Sequence, residues 1–188
     1  MKLPLLALPL LPLPLLALST PTCPTPLPST TTTPAPFLLT TFLLETTNTS
    51  RTLGTFSIAN PLSAETYRLE RIPVTLSGGT WSVCQPGADG AALPEALARC
   101  QYIVERRAAA QAWIGFRLQW WCAPAAGEGG GERVLFDATV RGNITGEVCE
   151  ARDGTDGVTQ ACRVPGEVVL GVANMNWGPE SKAAGWMK

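Results

Sequence analysis

The chain reads as an all-β protein, a compact antiparallel β-barrel or sandwich stapled by disulfides and preceded by a disordered Pro/Thr-rich arm. Three observations carry that reading: one stretch of strict alternation, a turn-rich composition, and six cysteines. In Ala112 to Cys122 (AWIGFRLQWWC), Ile114, Phe116, Leu118, Trp120 and Cys122 occupy every second position. A two-residue period puts these side chains on one face of a strand, whereas a helix would spread them around its circumference. Trp, Phe and Ile also suit a pleated, half-buried surface. Glycine and proline number 18 and 17 among 188 residues, which favours many turns over long helices.

Composition removes several function classes at once. There is no histidine, so His-based triads, His general bases, imidazole metal sites and histidine pH switches are excluded. Lys plus Arg is 14 against 15 for Asp plus Glu, so no strong field selects nucleic acid or an anionic membrane. No cofactor motif is present, and with neither a CxxC pair nor a histidine a zinc site is not expected.

Residues 1–19 (MKLPLLALPLLPLPLLALS) have the layout of a secretory signal: Lys2, a Leu-rich run, and Ala17-Leu18-Ser19 as a small-x-small cleavage site. The Leu-rich run is short for a bilayer span and is interrupted by Pro4, Pro9, Pro12 and Pro14, so no membrane segment is expected after cleavage. Export makes the six cysteines, Cys23, Cys84, Cys100, Cys122, Cys149 and Cys162, a disulfide framework in an oxidising compartment.

Residues 20–36 are almost only Pro, Thr and Ser, which cannot form a packed core, so a disordered linker or O-glycosylated stalk is expected. The folded domain is expected over 37–176, with 177–188 as a tail. Phe37 to Leu44 begins it as a strand, and Tyr67 to Leu76 gives another, with Ile72, Val74 and Leu76 alternating. Asn48-Thr49-Ser50 and Asn143-Ile144-Thr145 are N-glycosylation sequons at Asn48 and Asn143. Pro94 to Arg99 is expected to form one or two helical turns, and Cys100 to Arg106 a strand before the central one.

After Cys122 a glycine-rich loop leads to Val134, Phe136, Ala138 and Val140, the expected antiparallel partner of the central strand, with Gly142 as a bulge. Asp153 to Gly157 (DGTDG) reads as a hairpin turn, since it lacks the further acids of a calcium loop. Val168 to Val172 is the last strand, and the tail has no apolar run for a lipid anchor. Cys149 and Cys162 flank the turn and pair most economically with each other. Cys84 with Cys100 closes the next local loop, leaving Cys23 to Cys122 or to a second copy of the chain as a homodimer link. Proximity chooses these among the 15 connectivities open to six cysteines.

The acids nearest the expected sheet are Glu105, Asp137 and Glu147, candidates for a glycosidase-like carboxylate pair but more simply outward strand positions. Trp120 belongs to the interior. Trp113 and Trp121 lie on the opposite face, where they either pack or bind a sugar, a flat apolar ligand or a protein.

The signal, the early Cys23, the local pairs Cys84/Cys100 and Cys149/Cys162, and an aromatic strand between them resemble the layout of small secreted fungal proteins related to the Alternaria major allergen. The resemblance covers roughly residues 37–176. It implies a compact β-barrel with two intrachain disulfides and an early cysteine able to link two barrels, although Cys122 departs from that pattern and could capture Cys23. It also implies allergen- or effector-like binding of plant defence proteins or flavonoids, with no catalytic residues. The expected function is thus that of a secreted, non-enzymatic binding protein at a host or cell-wall interface, recognising a protein or small apolar ligand. A small secreted carboxylate-dependent glycan hydrolase and a structural cell-wall protein are the alternatives.

Overall fold

The computed structural model describes residues 22–24, 34–63, 65–76, 79–84, 97–108, 111–123 and 132–183. The signal, its cleavage site, most of the Pro/Thr-rich arm and residues 85–96, 124–131 and 184–188 lie outside the described residues. In chain order the strands are β1 (Phe37–Thr47), β2 (Thr52–Asn60), β3 (Glu65–Val74), β4 (Ser82–Val83), β5 (Leu97–Ala108) and β6 (Gln111–Cys122). They continue with β7 (Val134–Thr145), β8 (Val148–Ala151), β9 (Val158–Arg163) and β10 (Val168–Pro179), followed by one helical turn, α1 (Glu180–Ala183).

These strands form one antiparallel sheet in the order β3-β2-β1-β10-β7-β6-β5-β4, with β9 joining the second half of β1 and β8 beside it. The sheet curls into a half-barrel, and its inner face is the core. The evidence for the curl is in the side chains. Phe56 on β2 meets Phe116 on β6 edge-on, with centroids 5.6 Å apart, although β1, β10 and β7 lie between their strands. The Tyr102 hydroxyl on β5 likewise donates to the Pro73 carbonyl oxygen on β3. Register shifts at Leu39/Thr41, Gly54/Phe56 and Val172/Asn174 supply the bend, because an extra residue on one strand kinks it and increases its twist.

The alternation of β6 holds throughout: Ile114, Phe116, Leu118, Trp120 and Cys122 are all fully buried. Trp120 stacks on Phe136 of β7 with centroids 5.1 Å apart and takes Phe37 of β1 edge-on at 5.9 Å. β7 is the expected partner of β6, paired from Gln111↔Thr145 to Cys122↔Val134 without a shift. Gly142 is therefore not a bulge. It permits a close approach, since a Cβ there would stand 2.8 Å from both Leu170 Cδ2 and the Val169 carbonyl oxygen. Two further expectations are corrected. Leu97 to Arg99 belong to β5 rather than to a helical turn, because Leu97 pairs with Trp120 and buries its side chain. The last strand runs on through Trp177 to Pro179, because β7 supplies a pairing partner along that whole length.

The disulfides are Cys23–Cys122, Cys84–Cys100 and Cys149–Cys162, with no free cysteine. The first spans 99 residues, a loop for which chain entropy alone gives about 4.7 kcal/mol. It also orders a piece of the arm: Cys23 is buried, and its N–H donates to the Ala123 carbonyl oxygen at 2.8 Å. A dimer bridged at Cys23 would require this bond to be exchanged. Three intrachain disulfides are typical of extracellular proteins. Among the described residues no helix is long and apolar enough to cross a membrane.

Both tyrosines of the chain are buried. Burial pushes the Tyr67 hydroxyl up to about 12, against hydrogen bonds from its neighbours that lower it, among them Asn60 Nδ2 at 2.7 Å. Burial raises Tyr102 as well. A folded value above the unfolded one means that this stability is complete below about pH 10 and is lost as the pH rises toward 12. Absorbance at 295 nm should therefore stay flat through pH 10 and rise only with alkaline unfolding. A normal tyrosinate titration in the folded protein would contradict the burial.

Candidate functional site

With the even positions of β6 locked in the core, its odd positions are obliged to face outward: Trp113, Gly115, Arg117, Gln119 and Trp121. Pairing extends these positions sideways into rows. Gln119 stands in register with Arg99 on β5 and Asp137 on β7, and Asp137 with Asn176 on β10. One step along, Arg117 stands with Gln101, Thr139 and, through Thr139, Asn174. These side chains line a groove of about 710 Å³ crossing four strands on the outer face of the sheet. Its charges are two arginines against one aspartate, and its remaining groups are amides and a hydroxyl.

Indole–guanidinium pairs lie on both sides of the groove. The Arg117 guanidinium sits 4.2 Å over Trp81, and Arg141 lies 5.4 Å over Trp113. At the other end Arg133 lies 5.0 Å over Trp121. Trp113 and Trp121 are thus half-buried platforms that each carry an arginine, not bare aromatic surface. Trp81 reaches the sheet because Gly115 leaves room: a Cβ there would come 3.1 Å from the Trp81 ring and 3.2 Å from Ile103 Cγ2. Stacking on indole pre-orders a guanidinium and keeps its donors available at the surface.

The floor of the groove is Gln119, which is only 6% exposed. Its Nε2 donates to Asp137 Oδ2 at 2.5 Å. A carboxylate only accepts, so this bond fixes the amide orientation. Oε1 is then the free end, buried and without a hydrogen-bond partner. Arg117 does not donate to it; its Nη1 donates instead to Gln101 Oε1 at 3.5 Å. A buried acceptor left unpaired costs about 1–3 kcal/mol, so the groove presents one strong unmet demand for a donor.

The three candidate acids do not converge. Glu105 is in register with Trp113 and Asp137 with Gln119, positions six residues apart on β6 and so roughly 20 Å apart along the strand. Glu147 lies past the end of β7, its side chain fully buried and ion-paired to Arg106 at 2.9 Å. Its carboxylate comes within 4.8 Å of the Cys149 and Cys162 sulfurs, but their disulfide leaves no thiolate to ligate a metal. In the Asp153 to Gly157 turn the carboxylates are taken up by local hydrogen bonds. Asp153 Oδ1 accepts from Thr155 N and Oγ1 at 3.1 and 2.8 Å, and Asp156 Oδ1 from Val158 N at 2.9 Å. Both sequon asparagines are exposed, Asn48 in the β1–β2 turn and Asn143 on the outer face beside Trp113.

Sequence reasoning singled out Trp113, Trp121 and Asp137 but not Trp81, Arg99, Gln101, Asn174 or Asn176. Arg117 and Gln119 were visible as the outward set of β6. Their neighbours depend on cross-strand register, which no local pattern displays. No protein-family model, no curated protein and no solved structure matches this chain.

Gly115→Val should displace the Trp81 indole and cost about 1–3 kcal/mol by overpacking. The check is a red shift in tryptophan emission together with a lower urea midpoint. An unchanged spectrum would place Trp81 elsewhere.

Proposed function

We propose that this is a secreted, non-enzymatic binding protein that acts at a host or cell-wall interface through the outer face of β5, β6, β7 and β10. The observation that carries this reading is the pair of polar rows bounded on both sides by Trp–Arg pairs. Such a surface combines large, pre-ordered contact groups with hydrogen-bonding side chains whose positions the sheet fixes. Export is supported by the signal-like residues 1–19 and by the three intrachain disulfides.

A binding role is favoured over glycan hydrolysis because Asp137 is the one acid among the residues lining the groove. Glycosidases set two carboxyl groups about 5–10 Å apart across the scissile bond.

The test is retention of the purified protein on washed cell walls and host tissue extracts, comparing wild type with the Trp113→Ala/Trp121→Ala double variant. Wild type should be retained and the double variant several-fold less, with both unfolding at similar urea concentrations. Release of reducing sugar from the walls, abolished by Asp137→Asn, would instead establish a hydrolase. Equal retention of both proteins would remove this face from the function.

A further inference from the structure

The groove's chemistry narrows its ligand. It presents donors (Arg99, Arg117 and the amide nitrogens) interleaved with acceptors (Asp137, the amide oxygens and Thr139). At its floor the buried Gln119 Oε1 lacks a donor. A sulfate or phosphodiester offers acceptors alone, so it would leave that oxygen unpaired and face the Asp137 carboxylate. A simple cation would meet two arginines. Peptide recognition takes its specificity from apolar or charged side-chain pockets, whereas this groove is lined by polar groups throughout. A ligand that both donates and accepts at closely spaced points, without net charge, satisfies every term. Vicinal hydroxyl groups do this.

We propose that the groove binds a short neutral oligosaccharide, one of whose hydroxyls donates to Gln119 Oε1 while neighbouring hydroxyls pair with Asp137, Arg99 and Asn176. The proposal rests on the outer face being the working surface. Its volume of about 710 Å³ falls in the range of ordinary ligand sites, and the rows run across four strands at roughly 4.8 Å spacing, so the saccharide lies across the strands. The Trp113–Arg141 and Trp121–Arg133 pairs, displaced along β6 to either side of the rows, then flank the saccharide as walls. Gln119 is the specificity residue, because its buried oxygen rewards only a ligand that brings a hydrogen to it.

The experiment is titration of the full-length secreted protein, followed by tryptophan fluorescence and calorimetry. The probes are β-glucan, xylan, chitin and mannan oligosaccharides of three to six units, a sulfated oligosaccharide and a library of extended peptides. At least one neutral oligosaccharide should bind and saturate, with little dependence on salt. Gln119→Leu should weaken that binding about tenfold while leaving the urea midpoint unchanged or raised, since an apolar replacement removes the unpaired oxygen. Should Gln119→Leu fail to fold, Asn176→Ala, an exposed change on β10, should weaken binding several-fold in a protein of unaltered stability. Binding only to the sulfated probe, with steep salt dependence, would overturn the proposal in favour of an anion surface. Saturable binding of peptides but of no neutral saccharide would overturn it too, yet leave the binding face standing if the Trp113→Ala/Trp121→Ala variant also loses the peptide. Saccharide binding indifferent to both Gln119 and Asn176 would place the sugar elsewhere on the molecule.

Discussion

The alternation of β6 is the constraint on which the rest of the molecule depends. Its inward residues fill the centre of the half-barrel, where Phe116 meets Phe56 and Trp120 stacks on Phe136. Slipping this strand by one residue would turn Arg117 and Gln119 into the core and expose Trp120, at a cost no local rearrangement could offset. The outward set is therefore not free to vary in position. The same burial that stabilises the sheet fixes the spacing of Trp113, Arg117, Gln119 and Trp121 on the other side.

The disulfides act on a different part of the problem. A curled sheet assembled from the two ends of the chain has many long-range pairings, such as β1 with β10, and each closes a long loop. Cys149–Cys162 and Cys84–Cys100 close short loops and hold local pairings. Cys23–Cys122 closes the long one and ties the N-terminal arm to the end of β6. Because Cys122 is also an inward residue of β6, that bond is set into the core rather than laid on the surface.

How much of this was legible in the sequence follows from how local each signal is. The strands β6 and β7, the 149–162 and 84–100 pairs and the Asp153–Gly157 turn all announce themselves within a dozen or so residues. For Cys23 the sequence leaves both Cys122 and a second chain open, since nothing local decides a separation of 99 residues. The end of β10 was missed because Ala173 to Pro179 shows little alternation of its own; β7 makes it a strand. Gly142 reads locally as a bulge because a glycine in a strand signals either a bulge or a close approach, and only the neighbouring strand distinguishes them. The groove was invisible for the same reason. Arg99, Gln119, Asp137 and Asn176 are far apart in the chain and adjacent only in register.

That register also explains why Gln119 is unusual among the outward residues. Arg141 and Arg133 are drawn onto indoles, Arg117 onto Trp81 and toward Gln101, so these cations are committed before they could serve the central amide. Asp137 takes the amide's hydrogen and can give nothing back. The result is a polar pair with one satisfied end and one unsatisfied end, in a position where leucine would cover the sheet at lower cost. Asn60, by contrast, is closed on itself, donating to Tyr67 and accepting from the Leu62 N–H. Gln119 is half closed, on a side chain that lines the groove, which is the arrangement expected where the last hydrogen bond comes from another molecule.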